Sequence, residues 1–309
     1  MPRSLRDLRR KMKAIRSTRQ VTKAMELVSA SKMRRSVGNA TMLRKYAFSA
    51  WKILERLADV HPELHPYLAE KPATKVLAIL FTPDRGMCGN LNAAMARMAG
   101  QYLKSLKSLP HFERVDFVAV GKKGQHALVT NGASVIAAFP AVTAHPTVRD
   151  ILPITKMATE GFLAGTYDHV VLLFPDCISA LVQDPTVKVL LPLSRSELKE
   201  MILSILPKRK RAVEETQLSK ESAVGEYLFE PSQDEVLATI LPKLTEMQIY
   251  QAALETAASE HSARMVAMRA ASDNATSLLG DLTLTYNRTR QEKITAELSE
   301  ISAAVASIK

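Results

Sequence analysis

Residues 82–92, TPDRGMCGNLN, crowd two glycines, an arginine, a carboxylate and a thiol into one short stretch. An apolar run precedes it and a helical pattern follows, an arrangement that can cradle a phosphate on backbone N–H groups. The spacing is only partial. Gly86 and Gly89 do not complete G-x-G-x-x-G, no G-K-[ST] is present, and Asp84 would repel an anion. A strand-to-helix turn with Asn90 as cap and Arg85 as an exposed cation accounts for the same residues. GKKG at 121–124 is a second basic turn, which a solvated surface explains equally well. His61 and His65 stand four apart, yet Pro62 and Pro66 make HPELHP a linker, and no third metal ligand accompanies them. Neither a Ser-His-Asp ordering nor a supported pair of carboxylates is present. The chemistry-bearing residues thus predict no catalytic, cofactor-binding or metal-binding centre.

The totals point toward a partner instead. The chain has 309 residues, 47% hydrophobic and 24% charged, which is ordinary for a folded protein with a sizeable core. Its net charge of +11 favours an acidic partner: nucleic acid, anionic membrane or an acidic protein surface. Cys88 and Cys177 lie too far apart in sequence to imply a disulfide framework, and a reducing compartment fits them. No apolar run approaches a membrane span. The opening MPRSLRDLRRKMK is basic and amphipathic, and with Asp7 and Glu26 it reads better as part of a helix than as a presequence.

Proline and glycine draw the elements. After Pro2 no proline occurs until Pro62, and none follows Pro242; apart from Gly38 and Gly280, all glycines lie between Gly86 and Gly225. An interior proline costs a helix about 3 kcal/mol, so two long helices are expected at 1–60 and 234–309, around a module at 61–233. Leu5, Leu8, Met12 and Ile15 form a 3-4-3 stripe; it is expected to break at RSTRQ and to resume, shifted, at Val21, Met25 and Val28. Ile294, Leu298, Ile301, Val305 and Ile308 form a 4-3-4-3 stripe. These spacings predict an irregular antiparallel coiled coil within the chain. The C-terminal helix is the longer, so its last turns, with Ile301, Val305 and Ile308, are expected to lack a partner in the chain. In the module KVLAILF (75–81), VDFVAV (115–120), SVIAAF (134–139) and HVVLLF (169–174) alternate with helical patterns near 91–106 and 148–164. This is the signature of a mostly parallel sheet covered by helices, an α/β fold, with TVKVLLPL (186–193) as an antiparallel edge. The stretch 195–225, with PKRKR at 207–211, reads as an extended loop or added hairpin.

Two helical stretches are unusual for cores. QVTKAMELVSASKMRRS (20–36) is rich in small residues and ends in a basic tail. In EHSARMVAMRAASDNATSLLGDLTLTYNRTRQEKITAELSEI (260–301), Arg264, Arg269, Arg288 and Arg290 are spaced among Ala, Ser, Thr and Asn. Small side chains permit close helix approach, and guanidinium forks suit carboxylates.

These stretches, with STRQVTKAMELVSASKMRRS (17–36) and DRGMCGNLN (84–92), resemble the gamma subunits of F-type ATP synthases, the central rotor of that machine. The resemblance covers essentially the whole chain. It implies an antiparallel coiled coil of the terminal helices within a ring of three alpha and three beta subunits. It also implies a Rossmann-like α/β module that meets the epsilon subunit and the ring of c subunits and binds no nucleotide or other cofactor. By the same resemblance Met25 and Arg85 match positions near an acidic lever of the beta subunit. Arg264, Gln291 and Thr295, with Arg290 beside them, match positions that meet a beta catch loop. Where many relatives read C-G-G-L-N, this chain has Cys88-Gly89-Asn90-Leu91-Asn92. The thiol pair that gates activity in plant plastid relatives has no counterpart, since no cysteine occurs in 195–225. The implied role is torque transmission and regulation of catalysis, without catalysis by this chain, at the cytoplasmic face of a bacterial plasma membrane or, alternatively, at an organellar inner membrane. The rival readings are a nucleotide-binding α/β enzyme with helical dimerisation arms, resting on 82–92, and a basic nucleic-acid scaffold. Against the second, the basic stretch 3–35 of the first helix offers no aromatics for stacking on bases.

Overall fold

The computed structural model describes residues 4–57, 66–69, 71–140, 142–193 and 232–307; the expectations for His61, His65, PKRKR and Ile308 fall outside this set. In chain order the elements are α1 (Leu5–Leu57), a 3-10 turn (Pro66–Leu68), β1 (Lys75–Phe81), α2 (Leu91–Lys107), β2 (Arg114–Val120), α3 (Lys122–Thr130), β3 (Val135–Phe139), a second 3-10 turn (Val142–Ala144), α4 (Val148–Leu163), β4 (His169–Cys177), β5 (Gln183–Leu191) and α5 (Gln233–Ser307). They form two compact units. One joins the chain up to Ala30 with the chain from Arg264 onward; the other is Ser31–Ala263.

In the first unit, α1 turns Leu5, Leu8, Met12, Ile15, Arg19, Thr22, Met25 and Ser29 inward, and α5 turns in Met268, Ser272, Ala275, Leu279, Leu282, Tyr286 and Thr289. Both series step by three and four, the 3.5-residue period of coiled-coil helices. Arg9, near the start of α1, donates a hydrogen bond to the Tyr286 hydroxyl (2.5 Å) and stacks on its ring. That contact joins the start of α1 to the later part of α5. The expected break at RSTRQ does not occur. The stripe continues in register through Arg19, Thr22 and Ser29, whereas Val21 and Val28 are 55% and 56% exposed. Small and polar residues occupy the inner stripe there, and the apolar valines are left outside.

The second unit is a five-stranded sheet of order β3-β2-β1-β4-β5, with β1–β4 parallel and β5 antiparallel to β4 at one edge. Because a strand alternates faces, Leu77, Ile79, Phe81, Leu172 and Phe174 meet α4 and the start of α5, while Val76, Ala78, Leu80, Val171 and Leu173 meet α2 and α3. The result is a three-layer α/β sandwich whose strand order reverses between β1 and β4. Helix α5 begins earlier than its prolines allow in isolation, running through Pro242. Burial of Leu237, Leu241 and Leu244 on the sheet contributes about 2 kcal/mol each and outweighs the proline cost.

Candidate partner-contact surfaces

The β1–α2 turn is built from inside outward. Thr82 is buried at the end of β1; its N–H donates to the Val120 carbonyl (2.8 Å), and its Oγ1 accepts from the Gly124 N–H (2.7 Å). Gly121 lies against it with φ +103°, and an added Cβ would sit 1.9 Å from the Thr82 carbonyl oxygen. Only glycine fits there. Asp84 then reaches across to accept the Lys122 N–H at 2.9 Å. The amide donors at the start of α3, the position where a doubly wound sheet offers an anion seat, therefore face the chain's own Thr82 hydroxyl and Asp84 carboxylate. At the β1–β4 reversal, the other customary ligand crevice, Cys88 and Leu91 pack on Ala263 of α5. The first of these positions is thus engaged by the chain's own side chains, and the second borders α5.

Beyond Asp84 the turn presents side chains outward. Arg85 is exposed, and its carbonyl accepts from Asn92 Nδ2 at 3.3 Å, which fixes the loop. Met87 adopts φ +59°, an uncommon conformation for a residue with a side chain, and is 65% exposed. A rigid turn thus projects a cation and a thioether side by side.

In the first unit Met25 is half-buried on the inner stripe, beside Glu26, whose carboxylate is held by Lys23 at 3.0 Å. Arg264 is 8% exposed, so the chain's own atoms already enclose most of it. Arg290, Gln291 and Thr295 differ. Every residue from 290 to 304 is exposed, which brings these three together, within two turns, on a stretch of helix that the described residues of the unit do not bury. Ile301 is 61% exposed, as expected for the last turns, but Ile294 and Leu298, expected to pair within the chain, are 47% and 59% exposed as well, because the inner stripe of α5 ends at Thr289; the side chain of Val305 is outside the described set. Flanking i,i+4 pairs, Arg288–Glu292 (3.0 Å) and Lys293–Glu297 (3.8 Å), support the helix there.

Sequence reasoning missed the outer face of α1, where Val21, Leu27 and Val28 are 55–61% exposed. The signal was present as a second apolar set, with Val21 and Val28 seven apart, but it was assigned to the inner stripe. Met87 was passed over as well, because only its backbone angle marks it.

A family model described as ATP synthase matches residues 4–308. The ATP synthase gamma chain of Roseiflexus sp. (strain RS-1) is 40% identical, covering 99% of this chain and 98% of its own length. That of Herpetosiphon aurantiacus is 39% identical, with 99% of each covered. The chain belongs to the ATP synthase gamma chain family. The gamma chain fold agrees: a chain of the Euglena gracilis mitochondrial ATP synthase, solved with OSCP, F1 and c-ring in rotational state 3, superposes with TM-score 0.60 at 20% identity, covering 98% of this chain and 94% of that one. A rotor chain from the same organism in rotational state 1 gives 0.57, covering 94% and 98%. As a gamma chain the protein is a subunit of the membrane-associated ATP synthase complex. No helix among the described residues is long and apolar enough to cross a membrane.

Proposed function

We propose that this gamma chain is the rotating central stalk of its complex and carries no catalytic site itself. In this reading, three alpha and three beta subunits enclose the paired helices. The α/β module meets the epsilon subunit and the c ring on the cytoplasmic side of the membrane. Proton flow turns the stalk in synthesis, ATP hydrolysis turns it back, and contact with the stalk biases each catalytic site among states of different nucleotide affinity. Catalysis belongs to the beta subunits and their neighbours.

The observation that carries the reading is the uncovered stretch 290–304 of α5. Its apolar residues fall at 4-3 spacing, so a surrounding subunit that buries them gains roughly 1–2 kcal/mol for each. The cations fit the same picture. Arg290 and Arg85 are exposed, and each supplies a guanidinium to an acidic lever or catch loop, with Gln291 and Thr295 as hydrogen-bonding neighbours. Met25 adds an adaptable contact and Arg264 a mostly enclosed one. The exposed outer face of α1, with Val21, Leu27 and Val28, offers non-directional apolar contact that does not lock into one seat.

The experiment is charge reversal in the assembled complex. Arg290→Glu is expected to lower proton-driven ATP synthesis about tenfold, equivalent to a loss of about 1.4 kcal/mol at the coupling step, while subunit co-purification is retained. Undiminished synthesis would remove the electrostatic part of the proposal. A chain that co-purifies without alpha and beta subunits would remove all of it.

A further inference from the structure

Residues 252–264 of α5, AALETAASEHSAR, are buried without interruption. Leu254 is their one large aliphatic residue; Ala252, Ala253, Ala257, Ala258 and Ala263 present little more than methyl groups. Helices ordinarily fix their mutual angle by setting side-chain ridges into grooves. Methyl-covered surfaces have shallow ridges and form few dispersion contacts per side chain. Upstream, Leu237, Leu241 and Leu244 of the same helix seat on the sheet; along 252–264, where such ridges are sparse, directional bonds add to the fixing of its angle.

Three such bonds run to the end of β4 and the turn into β5. Glu255 Oε2 accepts from the Cys177 N–H at 3.3 Å. Ser259 Oγ donates to the Pro175 carbonyl at 3.1 Å, and Ser262 Oγ donates to the Ala180 carbonyl at 2.7 Å. Positions 255, 259 and 262 step by four and three, so they lie on one stripe of the helix. The turn they hold is itself braced: Ser179 Oγ accepts from the N–H groups of Leu181 (3.3 Å) and Val182 (3.1 Å). Rotation of the helix by one residue, about 100°, would break all three bonds at once.

We infer that Glu255, Ser259 and Ser262 form a rotational latch that fixes the angle of α5 on the carboxyl edge of β4 and carries torsion from the helix into the sheet. They are positioning residues. The latch rests on the geometry alone; its torsional duty rests on the rotor reading above.

The test uses the whole chain in its assembled complex. The double variant Ser259→Ala, Ser262→Ala deletes both hydroxyl donors while favouring helix. The control is Thr256→Ala, which removes an equally buried hydroxyl that donates to the Ala252 carbonyl of its own helix at 2.7 Å. Hydrogen exchange at the amides of Cys177, Leu181 and Val182 is expected to quicken about tenfold in the double variant and less than about twofold in the control. With the alpha/beta ring fixed to a surface and a probe on the module, angular fluctuation of the stalled complex is expected to widen in the double variant alone. Equal changes in both variants would reduce the three bonds to ordinary packing and overturn the latch. Faster exchange with unchanged angular spread would overturn its torsional duty. A wild-type complex in which the probe never turns would overturn the rotor reading, while the exchange result would still decide the latch.

Discussion

Asp168 shows how one side chain fastens the sheet. Its Oδ2 accepts hydrogen bonds from Thr74 Oγ1 and, at 3.1 Å, from the Lys75 N–H, while its own N–H donates to the Lys75 carbonyl at 2.8 Å. The starts of β1 and β4 are thereby clasped. Burial by itself would raise the carboxyl pKa. The Thr74 and Lys75 hydrogen bonds and the charges of Lys75 and Lys71 outweigh that and hold it below its ordinary value. A carboxyl depressed in the folded state contributes stability above its unfolded pKa of about 4, and that contribution disappears as pH falls through the folded value. Asp168→Asn is therefore expected to lower the thermal midpoint at pH 7 and to flatten its dependence on pH below about 4. An unchanged slope on acid titration would show that the clasp carries no proton linkage.

At the scale of elements, α1 separates what is apolar from what is inside. Thr22 and Ser29 are 8% and 3% exposed, while Val21, Leu27 and Val28 face outward. Ser29→Leu is expected to destabilise the isolated chain by about 1–3 kcal/mol through overpacking. Replacing Val21 and Val28 together by Ser should change its stability by less than about 0.5 kcal/mol per site and instead weaken recovery of alpha and beta subunits. Denaturant midpoints of the chain, read beside co-purification yields, separate the two effects. This element also marks the limit of what sequence discloses. The strand β1 was legible to the residue, because a sheet buried on both faces leaves KVLAILF continuous. The edge strand β5 was legible in kind, though its start at Gln183 lay upstream of its apolar core. The α1 stripe was legible as far as Ile15 and again at Met25, but not at Arg19, Thr22 and Ser29. Beyond Ile15 the interior is chosen by size and the exterior carries the hydrophobes. Likewise the residues alone marked Met25, Arg85 and Arg290 as a stripe member, an exposed cation and one of several spaced arginines, and only the family resemblance implied a partner for each. A lone cation on a helix or turn has no local pattern that distinguishes it from solvated surface.

For the whole molecule, the decisive asymmetry is that α5 outlasts the helix that pairs with it. Its inner stripe ends at Thr289, opposite the start of α1, and residues 290–304 are all exposed. Removing the chain after Thr289 is expected to leave the melting temperature of the isolated protein within about 2 °C, because exposed residues contribute little to stability. In the complex the same truncation should lower coupled ATP synthesis far more than it lowers assembly of the module with its membrane partners. A large fall in the melting temperature would mean that the stretch is bound within the chain after all. The net charge of +11 belongs to this scale too. Long-range attraction to acidic neighbours weakens as the screening length shrinks to about 3 Å at 1 M salt, so the rate of complex assembly should fall with ionic strength.

The pairing of α1 with α5 also has a consequence in time. Residues before Ala30 pack with residues after Arg264, so on the ribosome the first helix is finished long before its mate is made. At about 5–20 residues per second the wait is roughly ten to fifty seconds, longer than most helices spend uncovered. A stripe completed by Arg19, Thr22 and Ser29 instead of leucines tolerates water through that interval. The inner face of the nascent helix thus carries fewer apolar groups than a leucine stripe would, while Val21, Leu27 and Val28 stay exposed on its outer face before and after pairing.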